Sequence, residues 1–341
     1  MGTGVSRLQD VAERAGVSIA TASRSLSGRD GVSEGVAERV RTVARELGYV
    51  ANVHARSLAG GATTSVGLVV HEIGDPYFAE IATGVMRVGA SKGLTVQVCH
   101  TGRDPEQELV QIRQLVAQRV GGIVIAGSGF VDPAMQAEAR QDLKEYRAQG
   151  GRVAVIGRHH LGVDAVLPDN LGGGRSATEH VLGLGHTRIA FAAGSRELTT
   201  VADRLTGAAE ALADAGQDLE RLPVVEAAFT REGGKQAAHR IMDEHAGVTA
   251  IVALNDDMAI GVLSALRSRG VRVPDDVSVV GFDDIDVAGD LAPSLTTIRL
   301  PMIEMGEIAL SLALQAPAAR PRRRPTGHEL VVRDSTASPS S

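Results

Sequence analysis

The chain is poor in aromatic residues and almost devoid of cysteine: its 341 residues include five Phe, three Tyr, no Trp and one Cys. The single Cys99 cannot form an internal disulfide, and this composition is typical of a reducing compartment. No apolar run reaches the roughly 20 residues that a membrane-spanning helix requires, and no signal-peptide pattern opens the chain. These absences argue against a disulfide-stabilised secreted scaffold and against an integral membrane protein, and we expect a cytoplasmic protein.

Motifs of catalysis and cofactor binding are also lacking. The spacing of Ser, His and Asp supports no catalytic triad. Gly127-Ser128-Gly129 and Gly172-Gly173-Gly174 lack the rest of the dinucleotide fingerprint and are interpreted as loop glycines. The pair His159-His160 has no further ligands at metal-binding spacing, so solvated loop histidines are the preferred interpretation. We therefore expect no enzymatic activity, no metal and no cofactor.

The first fifty residues show the apolar spacing of three short helices. One apolar face at helical spacing predicts the first helix and comprises Leu8, Val11, Ala12 and Ala15. Ser6 and Gln9 have the spacing of a capping box at its start. Gly16 permits a tight turn, and Ser18 lies where a second helix over 19–26 needs an N-cap. A third helix, capped by Ser33, is predicted to end near residue 47.

A helix, a glycine turn and a second helix form the arrangement with which many proteins place a helix in the DNA major groove. The exposed face of the predicted second helix carries Ile19, Ala20, Ser23 and Arg24. Residues 1–60 hold eight Arg and six acidic residues, a net charge of about +2, while the rest of the chain carries about −8. With so small a positive charge, neutralising phosphates would contribute little to DNA binding. Tight binding would therefore need a dimer that also makes contacts in the groove. A helical bundle that binds nothing is the alternative.

After residue 63, apolar segments alternate with helical patterns, which is typical of parallel α/β folds. The predicted strands are 65–70, 94–98, 122–126, 152–156, 189–191, 224–225, 250–253 and 277–280. The predicted helices are 79–91, 105–119, 134–149, 175–184, 201–215, 232–245, 256–269 and 301–314. The two sets indicate two doubly wound parallel-sheet subdomains that follow an all-α N-terminal domain.

Several motifs lie in order along nearly the whole chain. They are Asp10-Val-Ala-x-x-Ala-Gly-Val-Ser-x-x-Thr-x-Ser-Arg24, Val32-Ser33, Leu47-Gly-Tyr49, Asn52, Ala55-x-x-Leu58-Ala59, Val66-Gly-Leu-Val-Val70, Asp75-Pro-Tyr-Phe78, Leu184-Gly-His-x-Arg-Ile-Ala190, Asn255-Asp256, Val273-Pro-Asp-Asp-Val-Ser-Val-Val-Gly-Phe-Asp-Asp284, Leu295-Thr-Thr-Ile298 and Glu329-Leu-Val-Val-Arg333. Through them the chain resembles the lactose/galactose repressor (LacI/GalR) family.

The resemblance implies a helix-turn-helix domain over 1–49, a hinge over 50–62 and a periplasmic-binding-protein-like core over 63–341. Within that core, the first lobe is expected at 63–161 and 299–326, and the second at 162–298 and 327–335. It also implies a cytoplasmic homodimeric repressor whose two recognition helices bind the half-sites of a palindromic operator. A small molecule, most simply a sugar, is expected to release it from the DNA. The C-terminal tail has no leucine heptads, so a dimer is expected rather than a tetramer.

The same resemblance implies which residues contact the operator. Ile19 and Ala20 would select bases by apolar contact, and Arg24 would reach a guanine edge. The remaining positions are Ser18, Thr21, Ser23 and Ser33, which would mainly bind phosphates, and Asn52 and Leu58 in the hinge, where the leucine would wedge into the minor groove. Ala51 replaces the proline usual before the hinge Asn, which leaves the unfolded linker freer.

For the effector, the strand ends of an α/β fold are the expected binding place. The implied effector residues are Tyr77, Arg158, Thr200, Arg204, Phe229, Asn255 and Asp283, a set whose guanidinium, carboxylate, amide and aromatic groups suit a polyol. Gly157 stands where many sugar-responsive relatives have an acidic residue, so this pocket lacks that hydroxyl acceptor. If Arg158 supplies a donor in its place, an acidic sugar is the suggested ligand. Alternatively, Tyr77 and Phe229 are core residues, and Arg204 forms a surface ion pair with Asp203 or Glu210.

Two other classes of protein share parts of this pattern. An extracytoplasmic sugar-binding protein without a DNA function would have the same two lobes, but the absence of an export signal and the N-terminal helices argue against it. An α/β enzyme such as a sugar kinase would need a phosphate-binding loop and a catalytic base, and the sequence shows neither convincingly. The preferred interpretation is a ligand-controlled transcriptional repressor.

Overall fold

The protein is described from a computed structural model, which defines residues 6–27, 30–49 and 65–340. The chain divides into two compact units, Met1–Thr64 and Ser65–Ser341. The expected hinge, with Ala51, Asn52 and Leu58, lies outside the described residues. Within the described ranges, no helix is both long enough and apolar enough to cross a bilayer.

The described part of the N-terminal unit, residues 6–27 and 30–49, contains three helices: α1 (Leu8–Ala15), α2 (Ile19–Ser27) and α3 (Glu34–Glu46). Gly16 ends α1 in the left-handed conformation, at φ 66°, which confirms the predicted turn. The three helices share one small apolar core made of Val11, Ala12, Ala15, Ala22, Val40, Val43 and Ala44. The predicted apolar face of α1 therefore packs inward, and the opposite side of α2 is left to solvent.

The helix caps differ in part from the sequence prediction. The capping box from Ser6 and Gln9 was wrong: the Asp10 carboxylate accepts the Arg7 N–H at 2.7 Å, and the Ser6 hydroxyl donates to the Leu47 carbonyl at 2.7 Å. The predicted cap of α2 is confirmed, because Ser18 Oγ accepts the Thr21 N–H at 3.1 Å. Ser33 is the N-cap residue of α3 but makes no capping hydrogen bond with its side chain.

The larger unit contains two six-stranded sheets. The first has the order β11-β5-β4-β3-β1-β2 and is parallel throughout. Its strands are β1 (Ser65–Val70), β2 (Thr95–His100), β3 (Gly122–Ala126), β4 (Val153–Ile156), β5 (Asp164–Leu167) and β11 (Arg323–Pro325). The second has the order β12-β10-β9-β8-β6-β7, and only β12 is antiparallel. Its strands are β6 (Ile189–Ala193), β7 (Val224–Glu226), β8 (Ala250–Ala253), β9 (Ser278–Asp283), β10 (Thr296–Arg299) and β12 (Glu329–Val331).

Eight α-helices surround these sheets: α4 (Pro76–Ser91), α5 (Pro105–Ala117), α6 (Ala137–Ala148), α7 (Asn170–Gly183), α8 (Thr199–Asp214), α9 (Arg231–Glu244), α10 (Asp256–Ser268) and α11 (Met302–Leu314). Two neighbouring residues of β1 show that helices cover the first sheet on both faces. Leu68 packs in the same apolar cluster as Ile81 of α4 and Met305 of α11, whereas Val69 packs with Ile112 of α5. Two covered faces require strands that are apolar at nearly every position, as observed.

One lobe boundary falls elsewhere than expected. Strand β5 pairs with β4 in the first sheet, so 162–167 belongs with the first lobe, although the expected boundary lay after residue 161. The strand has only four residues, and besides β4 it pairs with β11, far away along the chain, so its place in the first sheet is not visible in the local pattern. At the C-terminal end, β11 joins the first sheet and β12 the second.

Reciprocal glycines bring three pairs of helices into close contact. A Cβ at Gly84 of α4 would lie 2.0 Å from the Ile303 carbonyl oxygen of α11, and one at Gly306 would lie 2.1 Å from the Ile81 carbonyl oxygen. Gly174 and Gly207 have the same relation between α7 and α8, and Gly234 and Gly261 between α9 and α10. These close approaches fix the helix spacing in both lobes, because any side chain would force the backbones apart.

Candidate functional site

The first candidate surface lies on α2. Ser18, Ile19, Ala20 and Arg24 are exposed there, and 51% of Ile19 is accessible to solvent. Thr21 and Ser23 are partly buried, and Ser18 Oγ lies 2.9 Å from Thr21 Oγ1. An exposed apolar side chain beside hydroxyls and a guanidinium suits contact with base edges and phosphates. Ser33, also exposed, precedes α3.

The second candidate site is a narrow cavity of about 30 Å³ in the larger unit, where the carboxyl ends of strands from both sheets converge. Its lining comprises His71, Asp75, Tyr77, Phe78, Arg103, Gly127, Ser128, Leu198, Thr200, Arg204, Phe229, Asn255 and Asp283. Six of the seven expected effector residues are among them. The structure therefore brings Tyr77, Thr200, Arg204, Phe229, Asn255 and Asp283 together at one place.

Arg204 of α8 is the central charged group of this cavity and is 2% exposed. Its Nε donates to Asn170 Oδ1 at 2.9 Å, its Nη2 to Asp283 Oδ1 at 3.0 Å, and its Nη1 to the Leu254 carbonyl oxygen. The guanidinium carbon also lies 3.6 Å from the centre of the Phe282 ring. The alternative of a surface ion pair with Asp203 or Glu210 was wrong, because the side chain points inward.

Asp283, at the end of β9, holds the carboxylate that faces Arg204. Its φ of 118° is unusual for a residue with a side chain, and such strain is concentrated at functional sites. Burial raises the pKa of Asp283 well above its ordinary value, and the charge of Arg204 opposes that rise. Arg204 and Asp283 thus form a buried hydrogen-bonded pair, with the guanidinium as donor and the carboxyl group as acceptor, and not a solvated ion pair.

A second acid–base pair comes from the first lobe. Asp75 caps α4 by accepting the Tyr77 N–H at 3.0 Å, and its Oδ2 lies 3.3 Å from Arg103 Nη2. Burial raises the pKa of Asp75 to about 6. The Arg103 guanidinium lies 5.7 Å from the centre of the Phe229 ring, which belongs to the second lobe. Arg103 therefore connects the two sides of the cavity.

Arg158 is placed differently from the expectation. It is absent from the lining and forms a two-point ion pair with Asp203: Nε–Oδ2 is 3.2 Å and Nη2–Oδ1 is 2.6 Å. The carboxylate of Asp203, which the sequence did not connect with Arg158, takes up its donors. The suggestion of an acidic sugar therefore loses its structural basis.

Backbone and hydroxyl groups complete the junction between the lobes. Ser128 Oγ accepts the Thr200 N–H at 3.0 Å, and Thr199 Oγ1 donates to the Arg158 carbonyl at 2.8 Å. On the second lobe, Asn255 Oδ1 caps α10 by accepting the Met258 N–H at 2.9 Å. Its amide nitrogen is then the part of Asn255 that remains for a ligand.

Sequence reasoning missed the first-lobe part of the lining, chiefly His71, Phe78, Arg103 and Ser128. His71, Arg103 and Ser128 follow the ends of β1, β2 and β3, so the rule that ligands bind at strand ends could have found them. The solvated-loop interpretation of His159 was also wrong. His159 is half-buried, with Nδ1 3.1 Å from Gln136 Nε2 and Nε2 3.1 Å from the Gly127 carbonyl oxygen.

The described residues also contain a Ser-His-Asp arrangement that the sequence did not predict. His328 Nε2 lies 2.9 Å from Ser176 Oγ, and His328 Nδ1 lies 2.8 Å from Asp169 Oδ2. Ser176 is inside α7, where backbone N–H groups are used within the helix, so no pair of donors forms an oxyanion hole. The three side chains instead connect the segment after β5 with the segment after β11, which is a structural role. No group of three His, Cys, Asp or Glu residues in the described ranges could hold a metal.

Known proteins share both parts of this architecture. A model of "Bacterial regulatory proteins, lacI family" matches residues 7–52, and one of "Periplasmic binding protein-like domain" matches residues 178–336. The chain is 33% identical to the HTH-type transcriptional regulator DegA of Bacillus subtilis (strain 168), with 97% of this chain and 98% of that protein covered. It is 31% identical to the HTH-type transcriptional regulator GalR of Escherichia coli (strain K12), with 98% and 96% covered.

Solved structures agree with these matches. The lac repressor dimer bound to operator and the anti-inducer ONPF is 27% identical, with 98% of this chain and 100% of that chain covered and a TM-score of 0.82. The complex of the transcriptional regulator CelR with cellobiose is 32% identical, with 97% and 99% covered and a TM-score of 0.70. The predicted fold class, an N-terminal helix-turn-helix domain before a periplasmic-binding-protein-like core of two parallel-sheet subdomains, is confirmed. The chain belongs to the LacI family of bacterial transcriptional regulators.

Proposed function

We propose that this chain is a ligand-responsive repressor that binds a palindromic operator as a homodimer and is released from it by a small neutral sugar. The observation that supports this most directly is the buried Arg204–Asp283 pair in a cavity that both lobes line. The chain also carries an exposed helix-turn-helix surface. A sugar-binding protein without a DNA function would have no use for the second feature.

At the operator, Ile19, Ala20 and Arg24 read bases, and Ser18, Thr21, Ser23 and Ser33 hold phosphates. Arg24 supplies the hydrogen-bond donors of the reading set, since the other two side chains offer only apolar contact. Asn52 and Leu58 belong to the proposed hinge, residues 50–62. Both contact the operator, and Leu58 wedges into the minor groove.

The chemistry of the cavity favours a neutral polyol. Two arginines, Arg103 and Arg204, are each matched by an aspartate, Asp75 and Asp283, at 3.3 and 3.0 Å. A ligand hydroxyl can donate to the carboxylates and accept from the guanidinium groups without adding charge. Phe229 and Tyr77 offer apolar area for the C–H face of a sugar ring. Thr200 and Asn255 complete the proposed contacts, and the role expected for Arg158 is withdrawn.

An apolar patch on the first lobe supports the homodimer. Ile73 and Met86 are 63% and 47% exposed, and with Ala79, Ala82 and Thr83 they line a shallow depression along α4. Exposed large apolar side chains grouped in this way are typical of protein interfaces. A second copy of the chain is the proposed occupant, which gives two recognition helices for two half-sites.

The response follows from coupling between the ligand and DNA sites. A sugar that binds the closed lobes better than the DNA-competent arrangement shifts the dimer away from the operator. Coupling energies of about 1–3 kcal/mol are typical for such systems, which corresponds to roughly 5- to 150-fold in operator affinity. The regulator acts through this shift in population, and no chemical step is needed.

The test is to sequence genomic DNA fragments retained by the purified full-length protein, alone and with cellobiose, ribose, galactose or glucuronate. A short palindrome that is lost with one neutral sugar is the expected result. The R204A variant is the matched control, because it should retain the palindrome but no longer respond to the sugar. No enrichment at low salt would contradict the repressor function, and a palindrome released only by glucuronate would contradict the neutral-sugar effector.

A further inference from the structure

The chain passes between the two lobes three times, and two of these passages begin side by side on the second sheet. Residues 300–301 lead from β10 to α11, which packs on α4 of the first lobe, and residues 326–328 lead from β11 of the first sheet to β12 of the second. We name these two stretches the crossover segments. Strands β10 and β12 are neighbours, with Arg299 opposite Glu329. Because both segments connect the lobes covalently, a change in the angle between the lobes must change their backbone.

A cluster of four charged side chains lies where the crossover segments meet the second sheet. Arg299 Nε donates to Asp284 Oδ2 at 2.7 Å, and Arg299 Nη1 donates to Glu329 Oε2 at 2.8 Å. Arg333, which follows β12, places Nη2 2.7 Å from Asp284 Oδ1, as an ion pair without the angles of a hydrogen bond. The Nη1 of Arg333 donates to the Leu295 carbonyl oxygen at 2.7 Å. The Asp284 carboxylate therefore joins the end of β10 to the chain that follows β12.

Asp284 is also the direct neighbour of Asp283, whose carboxylate faces Arg204 in the effector cavity. The two aspartates have φ values of 118° and 59°, and only the side chain of Asp283 lines the cavity. The Leu300 N–H, the first of a crossover segment, donates to the Asp283 carbonyl oxygen at 3.3 Å. The Asp284 side chain is 7% exposed, so solvent screens its ion pairs little. A shift of Asp283 is thus passed to groups that hold both crossover segments.

We propose that Asp284 is a positioning residue that couples the effector site to the crossover segments, by linking Asp283 to Arg299 and Arg333. The inference rests on the proposed function and adds a residue that acts on the response without touching the ligand. The four charges of the cluster sum to zero, so loss of the Asp284 charge leaves two guanidinium groups with only the Glu329 carboxylate. A partly buried charge without its partner is unfavourable, so the cluster should rearrange.

Effector binding and the response to it should therefore separate in a variant of Asp284. A ligand releases the operator only to the extent that it binds the two lobe arrangements with different affinity. The residues that face the effector are unchanged in D284N, so its sugar affinity should be largely kept. The difference in affinity between the two arrangements should become smaller, because the crossover segments no longer follow Asp283.

The structural half of the proposal is tested without any ligand, by amide hydrogen exchange of the full-length protein. Asparagine tolerates the left-handed backbone as aspartate does, so D284N removes the charge and keeps the conformation. Exchange in peptides covering 296–302 and 326–333 should rise on the order of tenfold, as expected for loss of a charged hydrogen bond. The matched control is D286N, a change of the same charge at an exposed position two residues further on, and it should alter neither peptide.

Peptides from β1 and β8 report any general loss of stability in the same experiment. A rise confined to the two crossover peptides of D284N supports the proposal. Unchanged exchange there, an equal rise in D286N, or an equal rise in β1 and β8 would overturn it.

The functional half is tested by operator titration with and without galactose, ribose or cellobiose, at concentrations that calorimetry shows to be saturating. The sugar that binds should weaken wild-type operator affinity by roughly 5- to 150-fold. D284N should bind that sugar within about threefold of the wild type, as expected for a change outside the site, and should release the operator less. D284E, which restores the carboxylate, should regain part of the response.

A wild-type response in D284N, or a loss of sugar affinity that fully accounts for its lost response, would overturn the coupling role. If the wild type bound none of the three sugars, the neutral-sugar effector would fail. Unchanged hydrogen exchange in D284N would then remain the result that overturns this inference, so the two failures are distinguishable.

Discussion

Arg158 of the first lobe and Asp203 of the second form an ion pair at two points, with distances of 2.6 and 3.2 Å. Arg158 follows β4 in the first lobe, and Asp203 lies in α8 of the second lobe. Beside them, Ser128 accepts from the Thr200 backbone at 3.0 Å. These contacts join the two lobes on one side of the effector cavity, so the ion pair contributes to the arrangement of the lobes in this structure.

Removal of this pair should shift the lobes towards a more open arrangement. The side chains are 46% and 26% exposed, and exposed pairs contribute at most about 1 kcal/mol, so roughly a fivefold shift is the upper limit. R158A, D203A and the double variant should form a cycle in which the second change has no further effect, as measured by fluorescence energy transfer between labels on the two lobes. Additive effects of the two single changes would show that the pair does not act as a unit.

Gly207 is predicted to tolerate no side chain. G207A places a Cβ 1.9 Å from the Leu171 carbonyl oxygen, so α7 and α8 must separate, at a cost of about 1–3 kcal/mol. The matched control is G183A in α7, where nothing lies within 4 Å and alanine should stabilise by about 0.5–1 kcal/mol. Urea denaturation of both variants gives the comparison. Equal effects would mean that helix propensity, and not the close approach, governs Gly207.

Asp256 should make the protein less stable as the pH rises through neutrality. Burial raises its pKa to about 7, while Thr297 Oγ1 and the Ile285 N–H donate to it at 2.6 and 2.9 Å. Between about pH 4 and pH 7 the folded state therefore holds a proton that the unfolded state has lost, so this stability is fully present below about pH 4, falls as the pH rises towards 7, and levels off above it. One such group gives a slope of at most about 1.4 kcal/mol per pH unit.

The useful pH window for that test is 6.5 to 8. Burial lowers the pKa of His159, His180 and His186, and these groups act in the opposite sense below that window. Unfolding free energies of the wild type should fall across the window, and those of D256N should fall less, whatever its overall stability. A D256N slope equal to that of the wild type would assign the pH dependence to another group.

Arg24 should contribute to sequence discrimination, and Arg41 should not. R24A removes the proposed guanine contact, so affinity for the operator found by fragment sequencing should fall by about 1–3 kcal/mol and selectivity should relax at one base pair. R41A removes a positive charge from α3 that is engaged with Glu34 and Glu38 at 3.1 and 2.7 Å, and should change operator preference little. Gel-shift titrations with single-base operator variants measure both, and equal loss of selectivity would contradict the assignment.

Much of the architecture could be predicted from local pattern. Strands that are covered on both faces must be apolar at almost every position, so β1, β3 and β8 were found with their observed bounds. The four-residue β5 has too little signal of its own, and its place in the first sheet also depends on a long-range pairing with β11. At the start of α1 the predicted capping box of Ser6 and Gln9 is replaced by one of Arg7 and Asp10, and this shift by one residue depends on where the backbone enters the helix.

The sequence by itself determined the family, the order of the helices and of eight of the twelve described strands, and, through the resemblance to that family, six of the residues that converge on the cavity. Helix faces and buried strands follow from periodicity, and the family follows from short motifs. Only the tertiary structure decided the partner of each charged group. In the folded protein Arg204 points inward and pairs with Asp283, Arg158 pairs with Asp203, and Glu108 lies 3.8 Å from His71. Such pairings depend on distances between residues far apart in the chain, and burial then sets their energies, so no local pattern encodes them.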